Sequence, residues 1–327
     1  MIRVGIIGGA GYTAGELLRI LLRHPAVEIV FVHSNSHAGK PLYTAHSDLY
    51  GDTDMLFTEA LSEVNVVFLC TGHGKSLEFL NEQPLLGSPH IIDLSQDFRL
   101  EPDFRTKDGQ QLTFVYGLPE WNRDRIRTAQ HIANPGCFAT AFQLALLPLA
   151  QAGLLNGEVH VNGVTGSTGA GQSLSATSHF SWRNNNISIY KPFTHQHLKE
   201  VRKTLETVAG HAIAELNFLP VRGDFTRGIF LSAYTQTDKT QEELTDLYRN
   251  FYVDAAFTFV RNEEICLKEV VNTNKCLIHV EKIGNKALIT SVLDNLLKGA
   301  SGQAVQNMNL LCGIDEKTGL GLKAMAF

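Results

Sequence analysis

The sequence lacks the patterns of metal-binding, dithiol and nucleic-acid-binding proteins. Its five cysteines form no C-x-x-C pair, so neither a zinc ribbon nor a dithiol redox motif is indicated. The net charge is −5 and no block of basic residues is present, which makes nucleic acid a poor partner. We therefore expect no metal site and no nucleic-acid partner.

Long apolar runs are also absent. The run from Met1 to Ile7 is too short for a secretory signal and is followed by no cleavage site. No run of about 18 apolar residues occurs, so we expect no transmembrane helix and no membrane partner. An odd number of cysteines in a long chain is typical of reduced thiols, which predicts a cytoplasmic location.

The composition suits a folded chain of two domains. The chain has 327 residues, of which 44% are hydrophobic and 19% are charged. In its first third, strands predicted at 3–7, 27–33, 64–70 and 90–94 accompany a helix over 14–24. Apolar strands separated by helices are typical of a parallel sheet covered on both faces. We predict an α/β, Rossmann-like dinucleotide-binding domain over residues 1–136.

The pattern changes after residue 136. A strong helix is predicted over 137–151, with helices at about 195–209 and 240–253, and with longer strands at 159–165, 228–237, 277–280 and 287–293. This mixture predicts an α+β domain with a mostly antiparallel sheet over 137–294, serving catalysis and oligomerisation. A helix over 295–311 is expected to return to the first domain, which would then include residues 295–327.

A glycine-rich turn, Gly8-Gly9-Ala10-Gly11-Tyr12-Thr13-Ala14, follows the first strand and opens the first helix. Its G-x-G-x-x-A spacing fits the dinucleotide fingerprint, in which small residues let the backbone approach the pyrophosphate. The strand–turn–helix context strengthens a motif that is weak alone. The candidate cofactor-binding residues are Gly8, Gly11, Tyr12, Thr13 and Ala14. The alternative is a tight turn without a ligand.

The residues after the second strand indicate which dinucleotide is bound. An NAD site normally has an acidic residue there for the ribose hydroxyls. This chain has His33-Ser34-Asn35-Ser36-His37-Ala38-Gly39-Lys40 instead. Ser34, Ser36 and Lys40 can bind a 2′-phosphate, so NADP is the predicted cofactor. The alternative is that these residues only begin a polar loop.

Cys137 is the candidate nucleophile. Asn134-Pro135-Gly136 precede it and a long helix follows, so the thiol is expected at a helix N-terminus. There the helix dipole and the free N–H groups favour the thiolate and can hold an oxyanion. A buried structural cysteine is the alternative, and it suits Cys70 and Cys276, which lie in apolar strands.

The segment from Thr194 to Glu200, THQHLKE, has two interpretations. On a strand, His-x-His could bind a metal; in a helix the two rings point apart, and no Cys or carboxylate lies at a familiar zinc spacing. Glu200 follows His197 by three residues, on the same helical face, where a carboxylate can orient an imidazole. His197 is therefore the predicted acid/base, with Glu200 as its orienting residue and His195 as a neighbour. A structural histidine is the alternative.

These motifs together resemble the N-acetyl-γ-glutamyl-phosphate reductases (N-acyl-glutamate semialdehyde dehydrogenases) of arginine biosynthesis, type 1 family. The wider family includes aspartate-semialdehyde dehydrogenase. The resemblance covers nearly the whole chain, in GGAGYTAGELLR (8–19), DLSQDFRL (93–100), VYGLPEW (115–121), NPGCFAT (134–140), GSTGAGQ (166–172), THQHLKEV (194–201), TRGIF (226–230) and DNLLKGASGQAVQNMN (294–309).

The resemblance implies a reaction and further site residues. The reaction is the NADPH-dependent reduction of an N-acyl-γ-glutamyl phosphate to the 5-semialdehyde and phosphate, through a thioester on Cys137, in a homo-oligomer (dimer or tetramer). Arg99 and Arg227 are implied to bind substrate anions, with His195 beside them; a structural ion pair is the alternative for both arginines. The residues implied to line the cofactor and phosphate sites are Thr71, Gly72, Gly169 and Asn295.

The sequence departs from this family at three places. Ala139 replaces a usual proline, Thr71-Gly72-His73-Gly74 replaces Leu-Pro-His-Gly, and an arginine common near Asn35 is missing. These changes bear on cofactor affinity rather than on the chemistry. Two other functions stay open: an aspartate-semialdehyde-type dehydrogenase, and a non-catalytic NADP-binding sensor. The N-acyl group, acetyl or larger, is not fixed by the sequence.

Overall fold

The computed structural model describes residues 1–325, which fall into two units. The first unit contains Met1–Gly136 and Ala300–Gly321, and the second contains Cys137–Gly299 with the described tail after Gly321. The prediction that residues 295–327 belong to the first unit is therefore wrong for residues 295–299 and for the described tail, which belong to the second unit. Residues 326 and 327 of that predicted segment lie outside the described residues.

The first unit is built on a seven-stranded sheet. Its strands are β1 (Ile2–Ile7), β2 (Val27–His33), β3 (Val66–Leu69), β4 (His90–Asp93), β5 (Asp103–Arg105), β6 (Gln111–Tyr116) and β7 (His131–Ala133). Its helices are α1 (Tyr12–Leu21), α2 (Lys75–Glu82), α3 (Pro119–Arg127) and, after the second unit, α8 (Ser301–Leu311).

The strand order of this sheet is β2-β1-β3-β4-β7-β6-β5, and all neighbours are parallel except β5 and β6. The apolar strands β1 and β3 are interior strands of this sheet, with Val4, Ile6 and Phe68 fully buried. Strands buried on both faces carry such continuous apolar runs. The carboxyl ends of β1, β3, β4 and β7 consequently meet at one edge of the sheet, where ligands of this fold bind.

The last helix begins later than predicted. The predicted helix covers 295–311, but α8 starts at Ser301. The Asp294 carboxylate accepts hydrogen bonds from the backbone N–H groups of Leu296 and Leu297 and so caps a separate turn. Ala300, with φ −156° and ψ −97°, then interrupts the helical backbone directly before Ser301. As predicted, α8 packs within the first unit, where Ser301 Oγ donates to the carbonyl of Thr13 at 2.8 Å.

The second unit also contains a seven-stranded sheet. Its strands are β8 (Val159–Thr165), β9 (Ser188–Ile189), β10 (Leu216–Arg222), β11 (Ile229–Gln236), β12 (Thr258–Arg261), β13 (Cys276–Ile283) and β14 (Lys286–Leu293). Its helices are α4 (Cys137–Gln151), α5 (Phe180–Arg183), α6 (His197–Ala209) and α7 (Gln241–Phe251). The order is β12-β13-β14-β11-β8-β10-β9, and only β8–β10 and β12–β13 are parallel. The sheet is therefore mostly antiparallel, as predicted.

The central helix of the second unit is α4. Every residue from Phe138 to Ala150 is buried, because the helix is apolar all round and lies inside the core. Tyr248 and Tyr252 donate hydrogen bonds to the carbonyls of Ala145 and Leu144, at 2.5 and 2.6 Å. These contacts fix the middle of α4 within the core, and Cys137 begins the same helix.

None of the helices in residues 1–325 is long and apolar enough to cross a membrane.

Candidate active site

The glycine-rich turn of the first unit requires its glycines. Gly8 follows β1 with a φ of +80°, and a Cβ there would lie 2.8 Å from the carbonyl of Cys70. Gly11 is the N-cap of α1, so the helix and its free N–H groups begin at Tyr12. A Cβ on Gly11 would meet nothing closer than 3.9 Å, which leaves open space in front of the helix. The turn therefore has the shape and polarity that a pyrophosphate needs.

His46 supports this turn from a distant part of the sequence. Its buried ring places Nε2 at 2.7 Å from the carbonyl of Gly9, so Nε2 carries the proton and donates. A Cβ on Gly15 would come within 2.6 Å of the same ring. The helical glycine thus makes room for His46, a contact that the sequence analysis missed.

The segment after β2 presents hydroxyls and one ammonium. Ser34 Oγ lies 3.5 Å from Ser36 Oγ, which contacts His37 Nδ1 at 2.9 Å. Lys40 is exposed and forms no ion pair with a carboxylate of residues 1–325. Thr58 forms a β-bridge with His33. Burial lowers the pKa of His33, and the charge of Glu59, the residue after Thr58, partly opposes this. A carboxylate outside the segment therefore lies near the end of β2.

A buried carboxylate links the next two strand ends. Asp93, the last residue of β4, is fully buried and accepts hydrogen bonds from Ser76 Oγ at 2.5 Å and Ser95 Oγ at 2.7 Å. Ser76 Oγ also contacts Thr71 Oγ1 at 2.7 Å. Burial raises the pKa of Asp93 to about 6, against the opposing effect of its hydrogen bonds and of Arg99. This network holds the loop that carries Thr71 and Gly72.

Arg99 is held by backbone carbonyls of the same unit. Its Nε donates to the carbonyl of Asn134 at 2.9 Å, and one terminal nitrogen donates to the carbonyl of Leu94 at 3.0 Å. Asn134 also receives a hydrogen bond from Asn307 on its Oδ1 at 3.0 Å. The guanidinium is thus fixed beside the turn that precedes Cys137 in the chain.

Cys137 is the first residue of α4, as the sequence predicted. Gly299 packs against it so closely that a Cβ there would lie 2.9 Å from the Cβ of Cys137. The thiol therefore stands at the positive end of a buried helix, which favours the thiolate. In contrast, burial raises the pKa of Cys70 to about 12, and Cys276 is buried with its Sγ 3.4 Å from Ser291 Oγ. These two cysteines have the surroundings of structural thiols.

The two histidines lie beside the start of α4. The ring of His195 is 5.7 Å from the ring of Phe138 and 4.8 Å from that of His197. His195 precedes α6, and its Nδ1 accepts the backbone N–H of His197 at 3.2 Å, so the helix starts at 197 rather than 195. Glu200 and His197 are both buried on the inner face of α6.

The two histidines differ in their electrostatic surroundings. Burial, together with the charge of the Lys191 ammonium, lowers the pKa of His195 to about 4. The ring is therefore neutral at pH 7, and because Nδ1 accepts a hydrogen bond the proton is on Nε2. His195 can donate a hydrogen bond to a ligand, but it binds a further proton too weakly to act as a base at neutral pH.

Tyr190 and Arg222 were not predicted from the sequence. The Tyr190 ring lies 5.6 Å from the His195 ring, and Arg222 Cζ lies 4.7 Å from the Tyr190 ring centroid. Burial raises the pKa of Tyr190, and the charge of Cys137 raises it further. The second unit therefore gathers a thiol, two imidazoles, a phenol and a guanidinium in one place.

The remaining predicted residues of the second unit form a bonded cluster. Arg227 donates to both oxygens of the fully buried Asp294, at 3.1 and 3.2 Å, which is the ion pair left open as its alternative. Asn295 accepts from the backbone N–H of Gly228 at 2.6 Å and donates to Thr168 Oγ1 at 3.0 Å. A Cβ on Gly169 would approach that same amide to 3.9 Å. The cluster fixes the Gly166–Ala170 turn against β11.

No group of three His, Cys, Asp or Glu side chains within the described residues 1–325 is arranged to hold a metal ion. His195 and His197 contact each other edge to face, without a third ligand of these types.

Family models match both units of the chain. The model described as "Semialdehyde dehydrogenase, NAD binding domain" matches residues 3–129, and "Semialdehyde dehydrogenase, dimerisation domain" matches 137–295. A solved aspartate semialdehyde dehydrogenase II from Vibrio cholerae, complexed with ASA, superposes with a TM-score of 0.72 at 16% identity, over 96% of this chain and 98% of that one. An NADP complex of aspartate semialdehyde dehydrogenase from Candida albicans gives a TM-score of 0.66 at 13% identity, over 95% and 98%. The fold is that of the semialdehyde dehydrogenases, with a nicotinamide-dinucleotide-binding domain.

Relatives of higher identity define the chain more narrowly. It is 57% identical to "N-acetyl-gamma-glutamyl-phosphate reductase" of Christiangramia forsetii and 58% identical to that of Flavobacterium johnsoniae, over the full length of both chains in each pair. The protein of the same name from Phocaeicola vulgatus is 52% identical, again over the full lengths. The chain belongs to the N-acetyl-gamma-glutamyl-phosphate reductase family and is an oxidoreductase.

Proposed function

We propose that the chain reduces N-acyl-γ-glutamyl phosphate to N-acyl-glutamate 5-semialdehyde and phosphate, with NADPH, through a thioester on Cys137. The observation that carries this proposal is the position of Cys137 at the N-terminus of α4, beside His195 and His197 in the same unit. A thiol in that position has the activation that attack on an activated carboxyl group requires.

Each step of the proposed reaction is assigned to particular residues of the chain. The Cys137 thiolate attacks the acyl carbon, the bond to the phosphate oxygen breaks, and a thioester forms. The free N–H groups of the first turn of α4 face the developing oxyanion. NADPH, when bound, supplies the hydride that reduces the thioester. The carbon–sulfur bond then breaks, the aldehyde leaves and the thiolate is restored. His197, its ring oriented by Glu200, supplies the one proton that the overall reaction consumes, and this proton ends on the phosphate that has left.

His195 has a different role in this scheme from His197. Because its pKa is about 4, it stays neutral and donates from Nε2 to a substrate oxygen. Arg99 and Arg227 are proposed to bind substrate anions, although Arg227 shares its charge with Asp294. The proposed set is thus one nucleophile, one acid/base with its orienting carboxylate, and three substrate-binding residues.

The first unit supports NADP as the nucleotide. The Gly8–Gly11 turn leaves space at the N-terminus of α1 for the pyrophosphate, with Tyr12, Thr13 and Ala14 in its first turn. Ser34, Ser36 and Lys40 offer hydrogen-bond donors to a 2′-phosphate. Thr71, Gly72, Gly169 and Asn295 remain proposed contacts of the cofactor. We further propose a homo-oligomer, dimer or tetramer, because the second unit matches a dimerisation domain. We also propose that it acts in the cytoplasm, because an odd number of cysteines in a long chain is typical of reduced thiols.

The reverse reaction tests this function. Purified protein is incubated with NADP⁺, phosphate and one aldehyde at a time: N-acetyl-glutamate semialdehyde, N-succinyl-glutamate semialdehyde or aspartate semialdehyde. NADPH formation that needs phosphate and is fastest with an N-acyl-glutamate semialdehyde is the expected result. Faster turnover of aspartate semialdehyde would overturn the substrate assignment, and nucleotide binding without phosphate-dependent turnover would indicate a sensor.

A further inference from the structure

Arg222 lies at the end of a strand that leads into the candidate site. It is the last residue of β10, where it pairs with Thr165 of β8 on one side and with Ser188 of β9 on the other. Because β8 and β10 are parallel, Arg222 and Thr165 end their strands at the same edge of the sheet. The turn that starts at Gly166 and contains Gly169 follows directly.

The charge of Arg222 is not neutralised by the protein. No Asp or Glu among residues 1–325 forms an ion pair with its guanidinium, and its buried Nε has no hydrogen-bond acceptor there. Asp224, two residues along, accepts the backbone N–H of Asn185 at 2.7 Å instead. Arg227, five residues along, donates hydrogen bonds to both carboxylate oxygens of Asp294. Arg222 is half-buried and the Tyr190 hydroxyl is a hydrogen-bond partner of its side chain, but the buried Nε has none. Buried polar atoms are normally paired, so this exception suggests a ligand that supplies the anion.

The ring of Tyr190 connects Arg222 with the surroundings of the nucleophile. The guanidinium carbon lies 4.7 Å from the centroid of the Tyr190 ring, and the ring of Tyr190 lies 5.6 Å from that of His195. Cys137 acts electrostatically on the Tyr190 hydroxyl. Stacking on Tyr190 holds the guanidinium plane in place, and this preorganisation favours bidentate binding of an anion.

We propose that Arg222 binds a carboxylate of the substrate, at the end remote from the reacting carbon. This inference rests on the proposed function. The phosphate leaves from the carbon that Cys137 attacks, whereas Arg222 is connected to the site through its contact with the Tyr190 ring, so we assign it a more distant anion. The carboxylate has two possible sources: the α-carboxylate of the glutamyl unit, or the terminal carboxylate of a dicarboxylic N-acyl group.

The test compares Arg222→Met with wild type in the reverse reaction, varying aldehyde and phosphate separately. Loss of a charge-assisted, bidentate contact should raise the KM for the aldehyde on the order of tenfold to a hundredfold. We expect the KM for phosphate to change less than about twofold. Arg222→Lys keeps the positive charge but cannot bind a carboxylate with two nitrogens, so its KM for the aldehyde should lie between those of wild type and Arg222→Met. Arg261→Met, at the last residue of β12 where the arginine is bonded to Glu269, is the matched control and should behave as wild type.

The two acyl groups separate the sources of the carboxylate. A similar loss with N-acetyl- and N-succinyl-glutamate semialdehyde identifies the α-carboxylate, and a loss confined to the N-succinyl compound identifies the acyl carboxylate. An increase in the KM for phosphate alone, or no change in either KM, would overturn the inference. If Arg222→Met unfolds, as judged by circular dichroism, Arg222→Lys decides by the same two KM values. Failure of the wild type to oxidise either N-acyl aldehyde would instead refute the proposed function.

Discussion

Replacing Asp93 by Asn should remove a pH dependence of stability that the structure places in the first unit. The carboxyl is fully buried and its pKa is raised from 3.8 to about 6, mainly by burial. In the unfolded chain the group ionises near its ordinary value. Folding therefore favours the protonated form of Asp93 and opposes the ionised form.

The sign and size of the effect follow from the two pKa values. Below about pH 3.8 the group is protonated in both states and contributes nothing. As the pH rises to about 6, the unfolded chain releases its proton first, so the free energy of unfolding falls. A shift of about two pKa units corresponds to about 3 kcal/mol, lost between pH 4 and pH 6 and constant above that range.

The assay is urea unfolding of wild type and Asp93→Asn at intervals from pH 4 to pH 7. Subtracting the two stability curves removes the titration of all other groups, so the wild type should lose about 3 kcal/mol relative to the variant as the pH rises. Asp124→Asn changes an exposed carboxyl of the same unit and serves as the control. A flat difference curve for Asp93→Asn, or one that rises with pH, would refute the account of this carboxyl.

Three further predictions concern catalysis and the cofactor. Cys137→Ser should bind NADPH normally, measured by nucleotide fluorescence, but keep less than about a tenth of the wild-type kcat; a higher residual rate would argue against the nucleophile. In single-turnover kinetics, His197→Asn should slow hydride transfer more than His195→Asn does, because His195 has a pKa of about 4 and cannot hold the proton at pH 7; the reverse ranking would exchange their roles. The wild type should prefer NADP(H) over NAD(H) by about tenfold to a hundredfold in kcat/KM, and Ser34→Asp should reverse this preference; equal values for the two cofactors would contradict the interpretation of the segment after β2.

The parts of the fold that were predicted well have strong local patterns. The strands at 27–33 and 159–165 and the helix at 137–151 agree with the structure at both ends, because each is a clear apolar or alternating run. Strand β10 was missed because it contains Pro220, which argues against a central strand. The structure accommodates the proline because β9 pairs only with Val221 and Arg222, and the segment after β9 contributes a donor at Pro220, the Tyr190 N–H at 3.1 Å from the Pro220 carbonyl.

The candidate site was predictable where its chemistry is local. A thiol at a helix start, or a carboxylate one turn after an imidazole, can be recognised within a few residues. The role of His46 depends on a contact with Gly9 that spans 37 positions, and its only local sign is the unexplained helical Gly15. The uncompensated charge of Arg222 is equally invisible in the sequence, because an arginine shows its partner only after the chain has folded.

The return of α8 to the first unit has a consequence for how the protein is made. Asn307 of α8 donates to the carbonyl of Gly117 and to the side chain of Asn134, and Asn134 in turn donates to the carbonyl of Ala300. During synthesis these partners of the turn before Cys137 emerge from the ribosome only after the entire second unit. A nascent nucleotide-binding unit therefore has buried polar groups without their partners until α8 has been synthesised. The turn that ends the first segment of the first unit is thus completed by residues that follow the second unit in the chain, so a chain truncated before Ser301 is expected to lose stability of the first unit.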